Sequence, residues 1–259
     1  MHRLHPCSEE TSLLRPRNSH AEIPQKIYPK IHEVTTMCED EELYEEYSYG
    51  GVSLPVLGEE APLFEALTTH GPKKLEDYRG QWVILFSHPA DFTPVCTTEF
   101  MALAGANDEL KSLNAQLIGL SIDSVHSHIA WVLNIKEKFG VTIPFPVIAD
   151  LDMSVARMYG MVHPGQSSTA AVRAVFFIDP EGILRAMIYY PLSNGRYIPE
   201  IVRLVKALQM TDEKGVATPA NWQPGDKVVV PAPATQEAAE KRLTEGFECR
   251  DWYLCFREP

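Results

Sequence analysis

Residues 82–87 read WVILFS, an unbroken apolar run of the kind a strand shows when helices cover both of its faces. QLIGLSI (116–122) repeats the pattern and PVIAD (146–150) gives a shorter version. Between the first two runs, Phe100, Leu103, Ala104, Leu110 and Leu113 recur at helical spacing, which predicts a helix over 97–114. Val125, Ile129, Val132, Leu133 and Phe139 mark one side of an amphipathic helix over 125–139, stopped by Gly140. Asp150 or Asp152 is placed to cap a further helix that ends near Gly160. VRAVFFID (172–179), the turn Pro180-Glu181-Gly182 and ILRAMIYY (183–190) predict a β-hairpin, followed by a helix over 197–210.

This order, β-α-β-α-β-α-β-β-α, predicts an α/β fold with a mixed sheet flanked by helices. A thioredoxin-like architecture fits it, with an extra helix and strand ahead of the hairpin. The two ends differ from this middle. Residues 1–50 are rich in Pro, Ser, His, Arg and Glu, end in the acidic-aromatic run EDEELYEEYSYG and show no sustained period, so a disordered extension is expected there. The main domain is expected over 51–212. Residues 213–259 hold Pro219, Pro224, Pro231 and Pro233 around a strand VVV (228–230), then a helix over 236–243 and an aromatic tail. That piece is too small for a core of its own and is expected to pack as an arm on the main domain or on a second subunit.

Composition narrows the function. Hydrophobic residues make up 45 % of the 259, enough for a sizeable core, and the net charge of −12 disfavours nucleic acid and anionic membranes as partners. No apolar run approaches the roughly 20 residues that span a bilayer, and the N-terminus lacks a secretory apolar stretch. Five cysteines, unevenly spread, do not form a disulfide framework. A cytoplasmic protein is expected.

The chemistry concentrates in Ser87-His88-Pro89-Ala90-Asp91-Phe92-Thr93-Pro94-Val95-Cys96-Thr97-Thr98-Glu99. A strand ends, a proline-restricted loop follows, and Cys96 stands at the start of a long helix. Free N–H groups and the helix dipole favour an anionic sulfur there. The residues alone leave two readings, a reactive thiolate or a buried structural cysteine opening a helix.

Pro89-x-x-x-Thr93-x-x-Cys96 is similar to the peroxiredoxin signature, and HPADFTPVCTTEF resembles its one-cysteine (peroxiredoxin 6) type closely. SIDSVHSHIAW (121–131), PFPVIAD (144–150), Arg173 within TAAVRAVFFIDP, NGRYIPEIVR (194–203) and PANWQPGD (219–226) extend the resemblance over residues 52–259. The resemblance implies a peroxidase in which Cys96 attacks a hydroperoxide and becomes a sulfenic acid. Thr93 would exchange hydrogen bonds with thiolate and peroxide, Arg173 would stabilise the developing charge, and Pro89 would shield the site. For His88 two readings stand: a neighbour of the reacting sulfur, or a strand-end histidine bonded to backbone. Glu99 is expected to orient Arg173 or Arg196, or to serve only as a charge in the first helical turn. Arg196 resembles the family's second active-site arginine, a surface residue being the alternative.

The tail ECRDWYLCF departs from a one-cysteine mechanism. It resembles archaeal and bacterial members in which a C-terminal cysteine reaches the partner subunit's sulfenic acid. By that resemblance Cys255, as an exposed thiol on a flexible arm, is the resolving residue, and Cys249 is a second or relay thiol or else a packed one. A thioredoxin-like reductant, a homodimer and a decamer of five dimers are the implied partners, with no metal or organic cofactor. Gln81 stands where a phospholipase serine of some relatives would be, so that activity is not expected. A peroxide-sensing redox chaperone or scaffold is the competing class.

Overall fold

The computed structural model describes residues 54–259. The expected extension over 1–50, with Cys7 and Cys38, lies outside the described residues. The main sheet has seven strands in the order β2-β1-β5-β4-β3-β6-β7. They are β1 (Glu65–Thr68), β2 (Gly71–Lys74), β3 (Trp82–Ser87), β4 (Ala115–Ser121), β5 (Val147–Ala149), β6 (Arg173–Ile178) and β7 (Leu184–Tyr190). β3, β4 and β5 run parallel to one another, while β6 pairs antiparallel with β3 and with β7. This is the mixed, helix-flanked sheet that the element order predicts.

β3 shows why its sequence carries no polar alternation. Trp82, Ile84 and Phe86 enter one apolar layer, against α1 (Pro94–Ser112), α2 (Val125–Phe139) and α4 (Ile198–Lys214). Val83 and Leu85 enter the opposite layer, with Phe64, Leu75 and α3 (Ser154–Met158). Both faces of the strand are buried, so its positions from Trp82 to Phe86 are all apolar.

Several expectations need correction. α1 starts at Pro94 rather than Thr97, because Thr93 is extended and proline is well suited to the first helical position. Cys96 therefore lies inside the first turn. Neither Asp150 nor Asp152 is the cap residue of α3; that position is Met153, in the left-handed region. The two acids still satisfy the helix start: Val155 and Ala156 donate their N–H groups to the Asp150 carboxylate at 3.0 and 2.7 Å, and Ser154 donates to Asp152 at 3.0 Å. The β1–β2 hairpin has no counterpart in the sequence reading, since EALT and GPKK are too short and too polar to show a strand period.

α4 runs past residue 212 to Lys214 and is closed by Gly215 in the left-handed conformation. Beyond it lies a three-stranded sheet, β8-β10-β9, made of Val228–Val230, Leu254–Arg257 and Glu248–Asp251, with helix α5 (Gln236–Arg242) between β8 and β9. Trp222 and Val228 pack with Val216 against Ala207 of α4, which ties this small sheet to the main fold. Within the tail, β9 and β10 form a β-hairpin. No helix among the described residues is long and apolar enough to cross a membrane.

Candidate active site

Cys96 sits in the first turn of α1, fully buried. The Thr93 side chain makes no capping bond; its hydroxyl donates instead to the Ala90 carbonyl at 2.9 Å. The first-turn N–H groups are therefore not neutralised by the cap residue, and the positive end of a 19-residue helix lies at the sulfur. Arg173 adds a full charge, with Nη1 donating to Cys96 Sγ at 3.3 Å.

Arg173 is fixed from several sides. It opens β6, and the Ser87 hydroxyl at the end of β3 donates to Val172 O at 2.5 Å and accepts from Ala174 N at 3.1 Å, bracketing the residue between them. Its Nε and Nη2 donate to the Leu192 carbonyl at 3.0 and 2.8 Å. Nη1 also donates to Glu99 Oε2 at 2.7 Å. Glu99 lies on α1 three residues beyond Cys96 and accepts Nε and Nη2 of Arg196 at 2.8 Å each, plus the Arg196 backbone N–H at 2.8 Å. Arg196 Nη1 completes the lattice by donating to Ser87 O and Ala174 O, both at 2.9 Å.

Two guanidinium groups and one carboxylate are thus buried together with matched hydrogen bonds. Burial alone would raise the Glu99 carboxyl, but its bonds to Arg196 outweigh that and hold it below the ordinary carboxylate range. The net charge of the set is positive, and Arg173 brings that charge to within 3.3 Å of the Cys96 sulfur. Arg196 is buried, not on the surface, and Glu99 bonds both arginines.

The second half of the site is the loop between β3 and α1. Pro89 and Thr93 are half-buried in it. Phe92 takes a φ of +54°, an uncommon conformation for an aromatic residue, and its ring is exposed at the turn. The Asp91 backbone N–H donates to Asp123 at 2.9 Å, and Asp91 Oδ1 lies 2.9 Å from Nε2 of the fully buried His88. Asp91 Oδ2 lies 2.8 Å from Nδ1 of His128 on α2, likewise fully buried. Burial pushes the Asp91 carboxyl up, but hydrogen bonds from His128 and His88 outweigh it, leaving it far below the usual range. Burial lowers the His88 imidazole, with Asp91 only partly countering. His88 is held by this carboxylate rather than by backbone.

Asp91 and His128 are absent from the sequence reading. Asp91 was visible inside the signature loop and His128 inside SIDSVHSHIAW, but 37 residues separate them and no spacing rule joins them. His88, Asp91 and His128 bring ligand-type atoms within 4.8 Å of one another. Those atoms already satisfy one another by hydrogen bonding.

The remaining candidates lie on the C-terminal hairpin. Cys249 and Cys255 face each other across β9 and β10 and are joined by a disulfide. Cys255 is buried, which corrects the expectation of an exposed thiol: its strand is the middle one of the small sheet. Among the described residues Cys96 is the free cysteine.

Comparison with known proteins places this geometry in context. A family model described as the AhpC/TSA family matches residues 57–187, and one described as the C-terminal domain of 1-Cys peroxiredoxin matches residues 207–246. Over 215 residues the chain is 64 % identical to a peroxiredoxin of Aquifex aeolicus, covering 79 % of this chain and 97 % of that one. It is 54 % identical over 215 residues to a peroxiredoxin of Methanosarcina mazei, covering 79 % and 98 %. Among solved structures, a yeast mitochondrial 1-Cys peroxiredoxin is similar with a TM-score of 0.72 and 41 % identity, covering 80 % of this chain and all of that one. Peroxiredoxin 6 of Arenicola marina gives 0.71 and 40 %, covering 79 % and 98 %.

Proposed function

This chain belongs to the peroxiredoxin family and is a thiol-dependent peroxidase, and from that premise we propose that Cys96 is the sulfur that attacks the peroxide, with Arg173, Thr93, Pro89, Glu99 and Arg196 shaping its site. The observation that carries the proposal is the Arg173 guanidinium on Cys96 Sγ, locked from behind by Glu99.

The substrates in this reading are hydrogen peroxide and small alkyl hydroperoxides. The Cys96 thiolate attacks the terminal oxygen of the O–O bond. That bond breaks, its electrons leave with the distal oxygen, and a proton converts the leaving group to water or an alcohol. Sulfur is oxidised to Cys96–SOH while the peroxide is reduced by two electrons. Arg173 and the helix start stabilise the negative charge as it moves from sulfur to oxygen without having to reorganise. The Thr93 hydroxyl, its proton directed to Ala90 O, offers an oxygen acceptor to the peroxide O–H. No metal or organic cofactor enters the sequence of steps.

Resolution falls to Cys255 of the partner subunit, with Cys249 as relay. The Cys255 thiol condenses with Cys96–SOH, releasing water and forming a disulfide between subunits. The Cys249 thiolate then attacks Cys255, forming the Cys249–Cys255 disulfide and restoring the Cys96 thiol. The cross-strand pairing of these two cysteines supports the relay, because it is the bond in which such a sequence ends. A thioredoxin-like dithiol would reduce that bond. A C-terminal arm over 213–259 that docks on a second subunit, a dimer that closes into a decamer, and a cytoplasmic location complete the proposal.

Rapid mixing of reduced protein with peroxide, followed by mass spectrometry of the cysteines, tests it. Cys96→Ser should abolish peroxide consumption. In Cys249→Ser the Cys96–Cys255 disulfide should accumulate. Peroxide consumption by Cys96→Ser would overturn the assignment, and unimpaired recycling of Cys255→Ser would overturn the resolving step alone.

A further inference from the structure

We propose that Asp91 and His128 are positioning residues that hold His88 as its Nε2–H tautomer and so present Nδ1 as a bare acceptor for the peroxide O–H. The inference rests on the reading of Cys96 as the attacking sulfur and adds two residues to it.

Donor and acceptor capacity dictates the tautomer. His128 Nε2 lies 3.0 Å from the Ile148 carbonyl, which fixes the far side of that ring. His128 Nδ1 lies 3.0 and 2.8 Å from the two oxygens of Asp91. An ionised carboxylate can only accept. Asp91 is thereby oriented by His128 on α2 and by its own backbone bond to Asp123. Its Oδ1 must then receive the Nε2–H of His88.

One proton on Nε2 leaves His88 Nδ1 bare, because burial outweighs the neighbouring carboxylate and disfavours a second proton on this ring. Among the described residues, Nδ1 of His88 is the buried side-chain nitrogen or oxygen with no hydrogen-bond partner. Such an atom calls for a ligand. The ring packs 4.8 Å from that of Phe100, one helical turn beyond Cys96, and Ser87 immediately before it holds Arg196. Arg173 and Arg196 donate only, so a protonated peroxide beside them needs an acceptor for its own O–H. A bare imidazole nitrogen supplies one where water is excluded.

Asp91→Asn isolates the tautomer from the packing. The amide keeps the carboxylate's shape but offers one acceptor oxygen to two rings instead of two, so it no longer obliges His88 Nε2 to carry the proton. ¹⁵N NMR of His88 should show Nε2–H in the reduced wild-type protein and a redistribution of the proton toward Nδ1 in the variant. The second-order rate of Cys96 oxidation by hydrogen peroxide should fall about tenfold, the scale of one hydrogen bond to a reacting group. In a His88→Gln background the same substitution should slow oxidation no further. Nδ1–H in the wild-type protein would overturn the proposal, and so would an equal loss of rate in the His88→Gln background, which would mean that Asp91 acts only through the loop. The wild-type spectrum decides the matter even where a variant fails to fold. It is also independent of turnover, so failure here and failure of the Cys96 assignment are distinguishable.

Discussion

Arg173 and Cys96 meet through one nitrogen: Nη1 lies 3.3 Å from Sγ and the same atom lies 2.7 Å from Glu99 Oε2. A cation that cannot swing away is thus held against the sulfur, since Leu192 O holds the rest of the fork. Arg173→Lys keeps the charge but loses the planar, bidentate grip. Its oxidation rate by hydrogen peroxide, measured by stopped-flow, should fall about 10²-fold, as for the loss of one preorganised donor to a transition state.

Glu99 separates two buried guanidinium groups. Glu99→Ala should cost about 3 kcal/mol of stability in chemical denaturation, because it leaves two charges buried together without their counter-ion. A cost near zero would show that the arginines find water instead.

Acid should weaken the fold in two stages. The His88 imidazole lies below its ordinary 6.5 in the folded state, so the unfolded chain binds the proton more readily and stability falls as pH drops through about 6.5. Glu99 and Asp91 lie below their ordinary 4.5 and 3.8, so the stability they contribute is complete above those values and is lost as pH falls below them. Denaturation midpoints measured between pH 7 and 3 should decline throughout. In Asp91→Asn the low-pH limb should be shallower than in the wild-type protein.

Trp222 joins the small sheet to α4, and its indole N–H donates to Asp226 O at 3.0 Å. Trp222→Ala removes a large buried side chain, a change worth about 3–5 kcal/mol where the site cannot collapse. The expected result is faster proteolysis within 215–259 while the spectrum of the main sheet is retained. Uniform unfolding would instead make the two parts one cooperative unit.

Much of the fold is legible because both faces of the central strands are covered, which writes continuous apolar runs at 82–86 and 174–178. Gly140 announced the end of α2 through the one conformation that it adopts readily there. The short edge elements were not legible. β1 and β2 are half-exposed four-residue strands that alternate too briefly to register, and β9 and β10 contain charged and aromatic residues that read equally well as a loose tail. In the site, the signature loop exposed Cys96, Thr93 and Pro89. Asp91 and His128 stayed hidden because their relation is a contact between a loop and a distant helix, which only the packing of α2 on β5 creates.

The most direct test is to mix the fully reduced protein with one equivalent of hydrogen peroxide and trap sulfenic acid with a dimedone-type probe within the first turnover. The label should fall on Cys96 alone, and Cys96→Ser should neither take the label nor consume peroxide. Label on Cys249 or Cys255 with Cys96 left reduced would contradict the account.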